Sequence, residues 1–215
     1  MKAFDIETIP NKKMIPLLPE PEIKLGNMKD PEKIKEKLHE AKMKQIEKMG
    51  LNPMTGRICS FSIFGLNENF YSVISEISDA EEIKLIKIIF ENLYQTEIIT
   101  WDGMDFDLPF VYKRALLLNI ELPPNIPKLD HWTKKYTTFP HCDLMQIWNN
   151  WGHSQFPATL DYIAKFILRK GKTDRDYSTY VDLIENGEGD KIGIDNICDT
   201  ELTYDIYNVV EKYLF

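Results

Sequence analysis

Three acidic signals stand apart in this chain. The first is the opening stretch Met1-Lys2-Ala3-Phe4-Asp5-Ile6-Glu7-Thr8, where Asp5 and Glu7 sit two positions apart inside a short apolar run. In a strand, residues i and i+2 point to the same face, so both carboxylates leave one side of an element that must otherwise be buried. Two like charges in that position cost stability unless a cation neutralises them. Hard oxygen ligands in this arrangement suit Mg²⁺ or Mn²⁺. An edge strand with both groups in water fits the same residues. The second signal is Asp107, in Asp102-Gly103-Met104-Asp105-Phe106-Asp107-Leu108-Pro109. The third is a set of aspartates, Asp195, Asp199 and Asp205, near the C-terminus.

The elements around these residues can be read from pattern. Prolines 10, 16, 19 and 21 break regular structure after the first strand. Asp30-Pro31-Glu32 is an N-cap followed by proline at the first helical position, which predicts a charged helix to Met49 with a thin apolar stripe. That helix is either a solvated one held by i,i+4 pairs or a lysine-rich flap over a phosphate backbone. Arg57 to Gly65 and Phe70 to Ile74 predict a hairpin. Asp79 with Glu82 predicts a capping box that opens the next helix. Glu97-Ile98-Ile99-Thr100-Trp101 predicts a central strand. Gly103 then permits a tight turn and Pro109 fits a first helical turn, which puts Asp107 just past the C-terminal end of a strand, where ligands of open α/β sheets bind. Asp107 fits a plain helix N-cap equally well. Residues 119–140 predict a surface loop, with His131-Trp132-Thr133-Lys134-Lys135-Tyr136 as a tract able to stack bases and hold phosphates. Thr159-Leu160-Asp161 opens an amphipathic helix that ends in the basic cluster Arg169-Lys170-Gly171-Lys172. A short helix at Val181 to Glu185 and a last one from about Ile194 to Leu214 complete an α/β plan with a mixed sheet.

At 215 residues the chain is expected to form a single domain, 1–215, with an inserted charged helical segment at about 10–50. A formal net charge of −8 argues against a nucleic-acid partner unless bound divalent cations cancel part of it. The three cysteines, Cys59, Cys142 and Cys198, form no Cys-x-x-Cys pair, which disfavours a disulfide framework or a zinc site. No apolar run approaches 18 residues and no signal-like stretch precedes Asp5, so a soluble, cytoplasmic protein without membrane contact is expected.

Taken in order, these motifs resemble the DEDD superfamily of 3′–5′ exonucleases, in the branch of the family-B polymerase proofreading domains. Phe4-Asp5-Ile6-Glu7-Thr8 matches the first motif, Asp-x-Glu on the first strand. Asp102-Gly103-Met104-Asp105-Phe106-Asp107-Leu108-Pro109 matches the second, with Asp102 in place of the usual Asn. Asp199-Thr200-Glu201-Leu202-Thr203-Tyr204 matches the end of the third, and His141-Cys142-Asp143-Leu144-Met145 and Thr159-Leu160-Asp161 match intervening elements. The resemblance covers the chain to about residue 210, apart from 10–50. It implies a ribonuclease H-like fold with a mixed five-stranded sheet flanked by helices. It further implies that Asp5, Glu7, Asp107 and Asp199 hold two divalent cations, Mg²⁺ or Mn²⁺. One ion would activate the attacking water and the other would stabilise the leaving 3′ oxygen. The implied activity is release of nucleoside 5′-monophosphates from single-stranded DNA ends, with RNA as the alternative. The expectation is a standalone trimming or proofreading enzyme working in trans, with a polymerase or replication protein as candidate partner.

One departure bears on catalysis. The family places a Tyr four residues, or a His five residues, before the last Asp to orient the attacking water. Here those positions hold Asp195 and Ile194. Asp195 and Asp199 share a helix face at i and i+4, so Asp195 is a candidate replacement as water-orienting base or extra ligand, or else an N-cap of the final helix. Tyr177, Tyr180 and Tyr204 are further candidates to approach the site. The competing functional class is a catalytically impaired nucleic-acid-binding or replication-accessory module of the same fold.

Overall fold

The computed structural model describes residues 1–214 apart from 27, 95, 155–157, 174 and 175. Its centre is β1 (Lys2–Pro10). β1 pairs antiparallel with β2 (Gly56–Gly65), and β2 pairs antiparallel with β3 (Glu68–Val73), as the predicted hairpin requires. On the other side β1 runs parallel to β4 (Ile98–Thr100), and β4 to β5 (His141–Asp143). The order is therefore β3-β2-β1-β4-β5, a mixed five-stranded sheet.

Alternation along β1 decides which helices cover which face. Phe4 and Ile6 enter a core with Ile86, Phe90, Leu108 and Val111, from α2 (Asp79–Leu93) and α3 (Asp107–Leu117). Ala3 joins the opposite core with Leu144, Ile163 and Leu202, contributed by α5 (Leu144–Trp148), α6 (Leu160–Ile167) and α8 (Asp190–Leu214). Each buried Phe, Ile or Leu contributes about 1.5–3 kcal/mol from area alone. Asp5 and Glu7 follow Ala3 in the alternation and so point at α8. That helix lies close on the sheet because position 193 is glycine: a Cβ there would collide with the Tyr71 ring of β3.

The predicted helix at 31–49 is present as α1 (Pro31–Glu47), with the Asp30 side chain accepting the Glu32 N–H at 3.0 Å. No side chain of α1 is buried. Where the capping box was expected, the structure differs: Ser78, in extended backbone, caps α2 by accepting the Glu81 N–H. Asp79 instead pairs with Arg57 at 2.6 Å, and Glu82 turns into the core. There Glu82 accepts from Arg114 Nε and Nη2, both at 2.7 Å, and from the Ile58 N–H at 3.0 Å. This buried network ties α2, β2 and the last turn of α3 together.

The tract at 131–136 also departs from expectation. α4 (Leu129–Trp132) carries Trp132 into the core, where its indole N–H donates to the Tyr112 hydroxyl at 2.8 Å. Its carbonyl oxygen meets His141 Nδ1 at 2.7 Å. Trp132 is therefore a packing residue, while Tyr136 stays exposed. α7 (Tyr180–Glu185) agrees with the pattern, and α8 starts at Asp190, one turn before the expected boundary. Asp195 consequently lies inside that helix and does not cap it.

Candidate active site

The chain leaves β4 through a turn that admits one residue type at its second position. A Cβ on Gly103 would lie 2.5 Å from Thr100 Cβ, too close for any side chain. Asp102 adopts a left-handed φ of 71°. Asp143 fixes the turn by accepting the Asp102 N–H at 3.2 Å and the Met104 N–H at 2.8 Å, while also capping α5 through Met145 and Gln146. The result delivers Asp107 as the first residue of α3. It does not cap its own helix: its Oδ1 accepts the Ile6 N–H of β1 at 3.0 Å, beyond the short register shared by β1 and β4. The second acidic motif is thereby attached to the first.

α8 supplies the rest. Asn196 donates from Nδ2 to Asp5 Oδ2 at 2.5 Å, and its Oδ1 accepts from the Ser60 hydroxyl at 3.2 Å. Three residues on, Asp199 reaches the same place. Ligand oxygens of Asp5, Glu7 and Asp199 all lie within 4.8 Å of one another. Asp107 lines the same cleft of about 160 Å³, with Trp101, Asp102, Phe106, Lys172 and Tyr177. Asp195, one turn before Asp199, stands outside that ligand set: it is buried, and its Oδ1 accepts from the Thr173 hydroxyl at 3.1 Å. Asp205 is farther along α8, facing Lys170 at 3.4 Å.

The electrostatics are those of crowded, dehydrated acids. Burial pushes Asp5 up to about 7, Asp199 adds to this, and Lys172 and Asn196 oppose it. Burial raises Glu7 well above the ordinary carboxylate range, helped by Asp5 and Asp199. Asp107 is likewise raised by burial and then by Asp5, with the Ile6 N–H pulling the other way. Asp102, beside Asp143 and Asp105, is pushed up to about 7, mainly by burial. Asp199 is raised by burial although Lys172 Nζ sits 2.5 Å from its Oδ2. Burial is the largest influence on the Lys172 ammonium and works against it, but the charge and hydrogen bond of Asp199 together with the charge of Asp5 outweigh it, and the net shift is upward.

These residues fit a divalent metal. Asp199 Oδ1 is buried without a hydrogen-bond partner, which a coordinating cation would supply. An all-oxygen donor set of carboxylates suits Mg²⁺ or Mn²⁺ over softer ions.

Sequence reasoning missed two residues here. Asn196 carries no pattern of its own between Asp195 and Asp199, and Lys172 reads only as one member of a basic cluster. Of the three candidate tyrosines, Tyr177 lines the cleft, Tyr180 is fully buried, and Tyr204 packs on Phe64 with ring centroids 5.6 Å apart.

A mixed five-stranded sheet with acids gathered from its first strand, from the turn after β4 and from a helix across its face defines a ribonuclease H-like architecture. Residues 51–213 match the family described as predicted 3′–5′ exonucleases related to the exonuclease domain of PolB. The chain belongs to that family. The matched stretch starts after β1, so it holds Asp107 and Asp199 but not Asp5 and Glu7. Among solved structures, the fold is similar to the family B DNA polymerase from the hyperthermophilic archaeon Pyrobaculum calidifontis, with a TM-score of 0.58 at 12% identity. That similarity covers 97% of this chain and 24% of the polymerase, so the chain spans about a quarter of its length. A search of curated proteins found no match. No helix among the described residues is long and apolar enough to cross a membrane.

Proposed function

We propose that this chain is a divalent-metal-dependent 3′–5′ exonuclease that removes nucleoside 5′-monophosphates from single-stranded ends, with DNA favoured over RNA. The observation that carries this reading is the convergence of Asp5, Glu7 and Asp199 within 4.8 Å, with Asp107 in the same cleft. In this reading the four carboxylates hold two divalent cations, which when bound supply Lewis-acid activation of water and neutralise charge on the phosphate. Hydrolysis of a phosphodiester needs positioning and charge neutralisation more than covalent chemistry, and a rigid set of acids meets that need.

The remaining roles belong to side chains around the acids. An adjoining groove of about 420 Å³ runs from Asp5 past Trp101, Met145 and Leu160, giving a terminal base apolar and aromatic walls. Tyr177 brings a phenol to the cleft, and we assign it the orientation of the attacking water. Asp195 acts as a positioning residue, through Asp199 on its own helix and Thr173. Divalent cations would offset part of the −8 net charge, which reconciles an acidic chain with a polyanionic substrate.

The test is digestion of a 5′-labelled single-stranded oligonucleotide, as DNA and as RNA, with Mn²⁺, Mg²⁺ or EDTA, beside a circular single strand. A metal-dependent ladder shortening from the 3′ end, with the circle intact, is expected. Binding without cleavage under every condition would refute the enzyme and leave an accessory binding module. Cutting of the circle would make it an endonuclease.

A further inference from the structure

Lys172 occupies the acidic centre from an unexpected direction. It follows α6 on a loop whose backbone is held at that point, since the Lys172 N–H donates to Asp161 Oδ1 at 2.9 Å. One residue earlier, a Cβ on Gly171 would lie 2.7 Å from Lys165 Cε and 2.8 Å from Asp161 Oδ1, so the loop passes close under the Asp161–Lys165 pair of α6. Arg169 takes the left-handed φ of 58° that turns the chain back. The backbone is thus anchored while the four-carbon stem can rotate. At its end the ammonium lies 2.5 Å from Asp199 Oδ2 and 5.8 Å from the centre of the Tyr177 ring. Its side chain retains 27% exposure, which leaves a path to solvent.

The other carboxylate oxygens show what this contact does. Asp107 Oδ1 is committed to the Ile6 N–H and Asp5 Oδ2 to Asn196. Asp199 Oδ2 is the oxygen committed to a cation. A divalent ion bound by Asp5, Glu7 and Asp199 would stand within a few ångströms of that ammonium, and charges of like sign at such range in a partly dehydrated cleft repel strongly.

We propose that Lys172 is an internal counter-ion that takes the place of a divalent cation at Asp199 in the metal-free protein and must be displaced for the metal to load. The proposal rests on the metal reading of the acidic cluster. Lys172 keeps the crowded acids neutralised before metal arrives, and it sets a threshold of metal concentration below which the centre stays closed. A lysine suits this role better than an arginine would, because a single compact charge on a flexible stem makes no bidentate lock on the carboxylate.

The experiment is Mn²⁺ binding to the full chain without nucleic acid, by calorimetry or electron paramagnetic resonance, for the unsubstituted protein, Lys172→Met, Lys172→Arg and Asp199→Asn. The competitor model expects Lys172→Met to bind Mn²⁺ at least about tenfold more tightly, from removal of one nearby positive charge. Lys172→Arg should bind no more tightly than the unsubstituted chain. Equal or weaker binding by Lys172→Met would overturn the proposal, because a lysine that assists the metal predicts that sign. If Lys172→Met is folded but too weakly stable for calorimetry at 25 °C, the rise in Tm from EDTA to saturating Mn²⁺ makes the same comparison, and a rise no larger than that of the unsubstituted chain overturns it. Mn²⁺ binding that Asp199→Asn loses and Lys172→Met leaves unchanged sinks the lysine proposal alone. No Mn²⁺ binding by any variant sinks the metal reading with it.

Discussion

The substitution Asp5→Asn separates stability from activity at this centre. Asp5 is raised from the ordinary 3.8 to about 7, first by burial and then by Asp199. At about 1.36 kcal/mol per pK unit, that corresponds to roughly 4 kcal/mol of penalty on the charged form. Asp5 is only half-buried, so water in the cleft screens part of the repulsion, and about 2 kcal/mol is the expected gain when the charge is removed. The Asn196 amide keeps an acceptor, since the oxygen of an asparagine at position 5 can take the same hydrogen bond.

The sign follows from linkage. An acid whose folded pKa is raised is neutral in both states at pH below its unfolded value, and it carries its full penalty only above the folded value. Metal-free stability should therefore fall as pH climbs from about 4 to about 7 on account of this group. Asp5→Asn should be the more stable protein at pH 8 in EDTA and indistinguishable near pH 4. For a chain of this length the gain corresponds to a Tm higher by about 4–8 °C at pH 8. Thermal and urea melts of both proteins, at two pH values and with or without Mn²⁺, make the measurement. Mn²⁺ should reverse the order, stabilising the unsubstituted chain and not the variant, while the variant loses cleavage. Lower stability of Asp5→Asn in EDTA at pH 8, or a gain that persists unchanged at pH 4, would refute the account of a cluster held under repulsion.

Other substitutions probe the frame and the ligands. Asp107→Ala should lower cleavage by about 10³-fold or more given the loss of one charge-positioning group, and should cost about 1–2 kcal/mol in melts near pH 4, where no charge is relieved and the Ile6 N–H simply loses its acceptor. Glu82→Gln should destabilise the fold by about 3–5 kcal/mol, since Arg57 and Arg114 remain buried without their shared carboxylate; a loss under 1 kcal/mol would show the network to be dispensable. Gly103→Ala should cost about 1–3 kcal/mol through overlap with Thr100 and reduce cleavage through displacement of Asp107. Full activity with an unchanged melt would mean that the turn relaxes freely.

What the sequence made legible is what short-range geometry determines. Asp5 and Glu7 were readable because a period of two in an apolar run leaves them no other common direction. Asp107 was readable because Gly103 and Pro109 bracket a strand-to-helix turn, and that turn has one place to put it. The start of α8 lies one turn earlier than the pattern predicts because glycines at 187, 189 and 193 are poor helix formers, although Gly193 is chosen by the approach of Tyr71, which lies more than a hundred positions away. Trp132 was misjudged for the opposite reason: its neighbours are polar, but its partner Tyr112 is not a neighbour in sequence. The cap of α2 went one residue wrong because Ser78 and Asp79 are both good caps, and Arg57 decides between them by claiming Asp79.

The same distinction explains the pair on the last helix. Spacing of i and i+4 correctly puts Asp195 and Asp199 on adjacent turns, yet adjacency along a helix does not fix what each turn faces. The sheet passes under Asp199 where β1 presents Asp5, whereas Asp195 lies over Thr173 and beside the buried Tyr180. Two carboxylates with the same local pattern thus receive different environments, one among other acids and one against a hydroxyl. Lys172 is the extreme case, because its position depends on the closure of a loop and no periodicity records that. A site assembled by repeating backbone geometry can be read one motif at a time. The residue that balances its charge can be found only once the chain has closed around it.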